Sequence, residues 1–160
     1  MPVTRVTSAT TWLLGRANAR AQRLLAEGFA AFGLRPLHYR ALAALDEHGE
    51  LSQAELGRHL ALDRKDVTVA LDSLAQRGLV ERTPDAGDRR RNVVALTDAG
   101  RELLPQLDHA LQSVQARVLE PLTGREASQL RATLAKLVEV DLEGPRGRES
   151  VPATQRALSR

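Results

Sequence analysis

Residues 52–97 decide the fold of this chain, and they read SQAELGRHLALDRKDVTVALDSLAQRGLVERTPDAGDRRRNVVALT. Ser52 and Glu55 form a capping-box pattern, in which each side chain bonds the other residue's backbone N–H at the start of a helix. Asp63 is a suitable N-cap for a second helix, and Gly78 suits the left-handed position after its end. Two short capped helices joined by a tight connection predict a helix-turn-helix.

A β-hairpin is predicted immediately after these helices. Residues 79–83 and 92–96 are rich in apolar and β-branched residues, and residues 84–88 (PDAGD) between them are typical of a turn. The tip of the hairpin carries the run Arg89, Arg90 and Arg91. A basic hairpin directly after a helix-turn-helix predicts a wing, whose arginines suit the narrow and strongly negative minor groove of DNA.

Long amphipathic helices are predicted on both sides of this region. Apolar residues recur at helical spacing in residues 7–32 and 36–48 before it, and in residues 97–119 and 123–142 after it. A single subunit cannot bury the outer helices at both of its ends, so they predict a homodimer with two-fold symmetry. The predicted fold class is mainly α with a small β-hairpin wing, a winged helix-turn-helix plus a helical dimerisation region.

This interpretation divides the chain into three parts. Residues 1–34 and 97–142 form the helical dimerisation region, residues 35–96 form a winged helix-turn-helix DNA-binding domain, and residues 143–160 form a polar C-terminal tail. The tail is poor in apolar residues, so we expect it to contribute little to a packed core.

Composition excludes several classes of function. The chain has 160 residues and no cysteine, which rules out disulfides, thiolate catalysis and cysteine-ligated zinc. Its four histidines lack metal-ligand spacing, and no HExxH, GxSxG or glycine-rich phosphate loop is present, so we expect no enzyme, no metal and no cofactor. No apolar run reaches the length of a membrane span and the N-terminus lacks a signal-peptide pattern, so we expect a cytoplasmic protein with no membrane partner.

The overall charge identifies no partner by itself. A net charge of +3 agrees with an anionic partner but does not establish one. Affinity for DNA must therefore come from where the cations lie and from their doubling in a dimer.

The wing region resembles a known family. Residues 88–97 (DRRRNVVALT) followed by Gly100 are similar to the wing signature of the MarR family, Asp-x-Arg, five residues, then Leu-Thr, and residues 62–82 resemble its recognition helix. The resemblance covers roughly residues 7–142. It implies a dimeric DNA-binding regulator, and many such regulators release DNA when a small, often aromatic or anionic, molecule binds. Asp66 and Val69 depart from the family, which often has Ser or Thr at the first position and Arg at the second.

Helical spacing separates the two faces of the second helix of the helix-turn-helix. If Val67 lies at the centre of the buried face, the opposite face enters the major groove, with its N-terminal half nearest the bases. The expected DNA contacts are Arg64, Lys65, Thr68, Val69, Ser73, Arg89, Arg90 and Arg91.

These side chains suit different parts of DNA. Lys65 matches guanine acceptors or a phosphate, and Arg64 at the helix start is better placed for phosphate. Thr68 has no strong base preference, whereas Val69 suits a thymine methyl group.

Two acidic residues lie on the same helix. Asp66 is expected to support the helix N-terminus. The resemblance implies that Asp72 pairs with a wing arginine, with Arg90 the best match by motif position, while the alternative that Arg90 contacts DNA stays open.

The resemblance also implies a ligand site where the dimerisation helices meet the winged domain. An arginine beside an aromatic ring suits the carboxylate or phenolate of a flat molecule. The candidate ligand-binding residues are Trp12, Arg16, Arg20, His38, Tyr39 and His109. Each of them also has an ordinary structural explanation, for example Trp12 in a dimer core and Tyr39 packed with its hydroxyl satisfied.

The sequence thus predicts a sequence-specific double-stranded DNA-binding transcriptional regulator, a repressor released by a small aromatic or anionic effector. Two alternatives remain, a winged-helix protein-interaction module and a DNA-binding protein without a ligand. The basic wing, with Arg64 and Lys65 on the predicted groove-facing side, favours DNA over protein docking.

Overall fold

The computed structural model describes residues 4–84, 87 and 92–142, with side chains described from residue 6 to residue 139 of these. The chain divides into two compact units at the junction between Val118 and Leu119. The helices are α1 (Thr4–Thr7), α2 (Thr10–Ala30), α3 (Pro36–His48), α4 (Gln53–Leu60), α5 (Arg64–Gln76), α6 (Asp98–Leu119) and α7 (Gly124–Leu142). The strands are β1 (Leu51–Ser52), β2 (Val80–Pro84) and β3 (Asn92–Leu96).

The predicted helix caps are confirmed. The Ser52 N–H donates to Glu55 Oε2 over 2.8 Å, and the Glu55 N–H donates to Ser52 Oγ over 3.3 Å at the start of α4. Asp63 Oδ1 accepts the Asp66 N–H over 2.9 Å at the start of α5. Gly78, after the end of α5, has a φ of +67°. Helices α4 and α5 therefore form the predicted helix-turn-helix.

The sheet has one strand more than the sequence predicted. Its order is β1–β3–β2, and both pairings are antiparallel, with Leu51 opposite Val94 and Val80 opposite Leu96. A strand of two residues is too short to show a period-two pattern, so only the pairing with β3 reveals it.

The first unit is built around one apolar core. Leu42 of α3, Leu56 of α4, Leu71 of α5 and Leu107 of α6 are all fully buried in it. Because α5 directs Val67 and its neighbours at helical spacing inward, the opposite face of α5 is left at the surface.

The N-terminal helix differs from the prediction of one helix over residues 7–32. A break separates α1 from α2, where Ala9 is extended at φ −68° and ψ 132°. Thr7, Ser8 and Thr10 surround the break, and such hydroxyl-bearing residues favour helix ends over helix interiors. In contrast, α6 continues through Pro105.

Several apolar side chains on α2 and on α7 are left at the surface. On α2, Trp12, Leu13 and Leu14 are 37%, 50% and 40% exposed. In the second unit, α7 carries a further apolar group, Leu130, Leu134, Leu137 and Val138. No helix among the described residues is long and apolar enough to cross a membrane.

Candidate nucleic-acid interface

The surface face of α5 carries the side chains predicted to meet DNA. Arg64 and Lys65 are exposed at its start, and Val69 is 50% exposed one turn later. Thr68 and Ser73 are half-buried. The structure thus brings these five side chains together on one short helix, whose N-cap and core contacts hold it in place.

The Thr68 hydroxyl is held by hydrogen bonds within the helix-turn-helix. Its Oγ1 donates to the carbonyl oxygen of Arg64 over 2.7 Å and accepts a hydrogen bond from Gln53 Nε2. Gln53 is the first residue of α4, so this contact joins the two helices of the motif.

A cleft of about 690 Å³ lies beside the start of α5. We call it the arginine cleft, because Arg58 of α4 and Arg64 of α5 both line it. Its other lining residues are Ser52, Gln53, Ala54, Gly57, Ala61, Leu62 and Asn92. Two guanidinium groups and several small side chains around one opening suit a phosphate oxygen.

Asp72 is paired with Arg82 of β2, while Arg90, the wing arginine expected to pair with it, is not among the described residues. Arg82 Nη2 lies 2.7 Å from Asp72 Oδ1, which links α5 to the first strand of the wing. The strand direction of β2 brings Arg82 next to α5, an arrangement that motif spacing alone does not reveal. Arg89, Arg90 and Arg91, all predicted to contact DNA, lie outside the described residues.

The predicted ligand residues fall into separate groups. Arg16 lies over the Trp12 ring, 5.8 Å from its centroid, and Arg16, Arg20 and Arg23 line a cleft of about 320 Å³ along α2. Arg20 Nη2 also donates to the Arg117 carbonyl oxygen over 3.0 Å.

Tyr39 joins three helices. Its ring stacks on Phe29 of α2 with a centroid distance of 5.3 Å, and its hydroxyl donates to Asp108 Oδ1 of α6 over 2.8 Å. Burial, followed by the hydrogen bond to Asp108 and its negative charge, raises the pKa of Tyr39 to about 12. His109, next along α6, is exposed. The contacts of Tyr39 with Phe29 and Asp108 share no residue with the contact between Arg16 and Trp12.

His38 is buried near the start of α3, with 3% of its surface exposed. Its Nδ1 accepts the Arg35 N–H over 3.1 Å, so the ring proton lies on Nε2, which has no hydrogen-bond partner among the described residues. Burial lowers the pKa of His38, and the positive charges of Arg35 and Arg77 lower it further. The ring is therefore neutral at pH 7.

A neutral His38 makes stability depend on pH. The unfolded chain binds a proton near the ordinary histidine pKa of 6.5, before the folded protein does, so the stabilisation is present above this pH and is lost as the pH falls towards the lowered pKa. We expect His38→Asn, whose amide oxygen can still accept the Arg35 N–H, to show a smaller drop in Tm between about pH 7.5 and about pH 5.5. Thermal unfolding monitored by circular dichroism measures the drop, and the exposed His109→Asn is the control. Equal drops in the His38 variant and the native protein would contradict this prediction.

Sequence reasoning missed three contributors to this surface. Gln53 and Asn92 have no local signal, because their partners or neighbours lie far along the chain. For Arg58 the only signals in the sequence are its positive charge and its position on a predicted helix. Among the described residues, no group of three or more His, Asp or Glu side chains is placed to hold a metal ion.

Comparison with known proteins agrees with this geometry. A family model described as the MarR family matches residues 32–91. The HTH-type transcriptional repressor MdtR of Bacillus subtilis (strain 168) is 30% identical over 125 residues, which cover 76% of this chain and 81% of MdtR.

Solved structures of whole regulators share the fold. A probable transcriptional regulator from Pseudomonas aeruginosa has a TM-score of 0.75 and 35% identity, covering 81% of this chain and 97% of its own. CouR bound to a 23-mer DNA duplex has a TM-score of 0.79 and 27% identity, covering 86% and 98%. CouR from Rhodococcus jostii RHA1 bound to p-coumaroyl-CoA has a TM-score of 0.71 and 26% identity, covering 90% and 98%.

These matches confirm the predicted winged helix-turn-helix class and the family resemblance read from the wing. They span the helices on both sides of the wing as well as the wing itself. The chain belongs to the MarR family of transcriptional regulators.

Proposed function

We propose that this chain is a homodimeric repressor that binds a specific operator and releases it when a small anionic, aromatic effector binds. The observation that carries the DNA-binding part is the surface of α5, where Lys65 and Val69 are exposed and where Arg64 at the helix start lines the arginine cleft together with Arg58. The relative MdtR is named as a repressor, which supports the sign of regulation.

In this proposal α5 lies in the major groove and the arginine cleft holds the DNA backbone. Lys65 contacts guanine acceptors, while Arg58 and Arg64 neutralise phosphates and fix the register of α5. Ser73 lies two turns along α5 from Lys65 and contacts the adjoining bases or backbone. The wing arginines, Arg89 to Arg91, enter the neighbouring minor groove.

The proposed dimer follows from the exposed apolar side chains of α2 and α7. Trp12, Leu13 and Leu14 on α2, and the apolar group on α7, are the kind of surface that a second copy of the chain covers. Two copies present two α5 helices, so the operator is a pseudo-palindrome with half-sites about one helical turn, roughly 10 base pairs, apart.

The effector part rests on a relative and on side-chain chemistry. CouR, which is 26% identical, has been solved with p-coumaroyl-CoA, a molecule with an aromatic ring and phosphates. In this chain Arg16 over Trp12, together with Arg20, suits an anion attached to a flat ring. His38, Tyr39 and His109 are the further candidate effector-binding residues. Among the described residues the buried His38 Nε2 has no hydrogen-bond acceptor, so it is available to donate to an effector. We place the protein in the cytoplasm, where its DNA lies.

A winged helix can also dock a protein, but the chemistry of the α5 surface favours DNA. A docking face for a protein partner is expected to show an apolar or acidic patch. The surface here shows Arg58 and Arg64 lining one cleft, with Lys65 exposed as the next residue of α5.

The test is binding of the purified protein to the DNA upstream of its own gene, against unrelated DNA, over a salt series. We expect one dimer to bind per pseudo-palindrome. A plot of the logarithm of the binding constant against the logarithm of the salt concentration should have a slope of about −0.9 for each phosphate neutralised. Lys65→Ala should weaken binding to the operator by about tenfold and relax the preference at one base pair.

The chain supplies a matched control for this substitution. Its other lysine, Lys136, is exposed on α7, so Lys136→Ala removes the same charge outside the helix-turn-helix. If the protein prefers no duplex over random DNA even at low salt, the proposal is wrong and the protein-docking function takes its place.

A further inference from the structure

The start of α5 offers fewer hydrogen-bond donors to DNA than its sequence suggests. The Thr68 hydroxyl has one proton, and the structure commits it to the Arg64 carbonyl oxygen at 2.7 Å. The Thr68 Oγ1 atom also accepts a hydrogen bond from Gln53 Nε2. Thr68 therefore has no proton left for the acceptors that guanine, adenine and thymine present in the major groove.

With the Thr68 hydroxyl already hydrogen-bonded, Val69 is the next side chain on the exposed face of α5 to consider. It is the one large apolar side chain of α5 that is exposed, at 50%, and the structure describes every residue of that helix. Lys65 and Ser73 lie one turn before and one turn after it on the same stripe. The valine side chain loses no hydrogen bond to water when DNA covers it, and removal of its apolar surface from water is favourable. Contact with an apolar group of the DNA therefore stabilises the complex most.

The major groove contains one apolar group, the C5 methyl of thymine. We propose that Val69 is a specificity-determining residue that packs against a thymine methyl group in each half-site, next to a guanine contacted by Lys65. This inference rests on the proposed function, since it requires that α5 lies in the major groove.

The spacing of the two side chains limits where the thymine lies. Residues four apart on an α-helix are displaced by about 6 Å along its axis. This equals about two base-pair steps of 3.4 Å, so the thymine and the guanine are expected within about two base pairs of each other. The half-site is thus predicted to contain both, at neighbouring positions.

Replacing thymine by deoxyuridine removes the methyl group and leaves all hydrogen-bonding groups in place. The operator is first selected from a random duplex pool with the full-length protein, and each thymine is then replaced in turn. We expect one position in each half-site at which deoxyuridine lowers affinity about fourfold, the effect of losing one buried carbon group. Fluorescence anisotropy of labelled duplexes measures the change.

Protein variants assign the methyl contact to its side chain. Val69→Ala should bind the thymine and deoxyuridine duplexes with equal affinity, so the effect of the DNA change disappears. Lys65→Ala, one turn away, should weaken binding to both duplexes while it keeps their fourfold ratio. Thermal unfolding checks that both variants are folded, which the surface position of Val69 predicts.

The outcomes separate this inference from the function on which it rests. Specific binding that is insensitive to deoxyuridine at every position, or a selected half-site without thymine, overturns the role of Val69 and leaves the regulator intact. A deoxyuridine effect that persists in Val69→Ala also overturns it. Failure to select any duplex overturns both proposals.

Discussion

Gly100→Ala is expected to destabilise the protein more than any other small substitution considered. A Cβ at this position of α6 would lie 2.2 Å from the Leu79 carbonyl oxygen, far inside van der Waals contact. That oxygen is held in place because it accepts the Thr97 N–H over 3.2 Å. Relief of the clash therefore requires movement of backbone on both sides, and we expect a loss of about 3 kcal/mol or more.

The loss should appear as a fall in Tm of roughly 10 °C in thermal unfolding. Gly124→Ala is the matched control, because a Cβ there meets nothing within 4 Å, and its effect should stay within about 1 kcal/mol. A Gly100→Ala protein that melts with the control would show that α6 can move away from Leu79 cheaply. The clash also explains the glycine three residues after Thr97 in this chain, because the start of α6 packs against Leu79, which directly precedes β2.

The double variant Arg58→Ala/Arg64→Ala is expected to have the largest effect on function. Each guanidinium group that meets a phosphate makes a charge-assisted bond, typically about 1.5–3 kcal/mol, and a dimer loses four of them. Affinity for the operator should fall by at least about 100-fold at low salt. Because fewer counterions are released, the log–log salt slope should also become shallower by roughly 3 to 4.

A control with the same charge separates the arginine cleft from overall attraction. Arg125→Ala/Arg131→Ala removes two arginines from α7 and leaves the cleft unchanged. Its salt slope should match that of the native protein. If both double variants shift the slope equally, the arginine cleft makes no special contact and only the net charge of the chain matters.

Local signals predicted most of the helix-turn-helix correctly. The capping box of Ser52 and Glu55 and the Asp63 N-cap each join atoms three residues apart, and the Gly78 position depends on its own positive φ. Such hydrogen bonds depend on local backbone geometry, so residue types at fixed spacing are enough to find them. The strand β1 escaped this reasoning because its two residues acquire a strand geometry only by pairing with β3.

Prediction from sequence was weaker for the site than for the fold. Helical periodicity identified Lys65 and Val69 as surface residues of α5, and the structure places both there. It also offered Thr68 as a base contact, whereas the hydroxyl proton of Thr68 is committed to the Arg64 carbonyl oxygen. It did not identify the ion pair between Asp72 and Arg82, and the expected contact of Asp72 with Arg90 lies outside the described residues.

The sequence by itself determined where the two helices of the helix-turn-helix begin and end, that a hairpin follows the second of them, and which face of α5 is buried. Only the tertiary structure decided that Gln53 bonds Thr68, that Arg58 and Arg64 share a cleft, and that Gly100 lies against Leu79. The physical reason is the distance along the chain over which each kind of interaction acts. Caps, turns and periodicity act between residues within about one turn of each other, while a site forms from side chains that only packing of the whole core brings into contact.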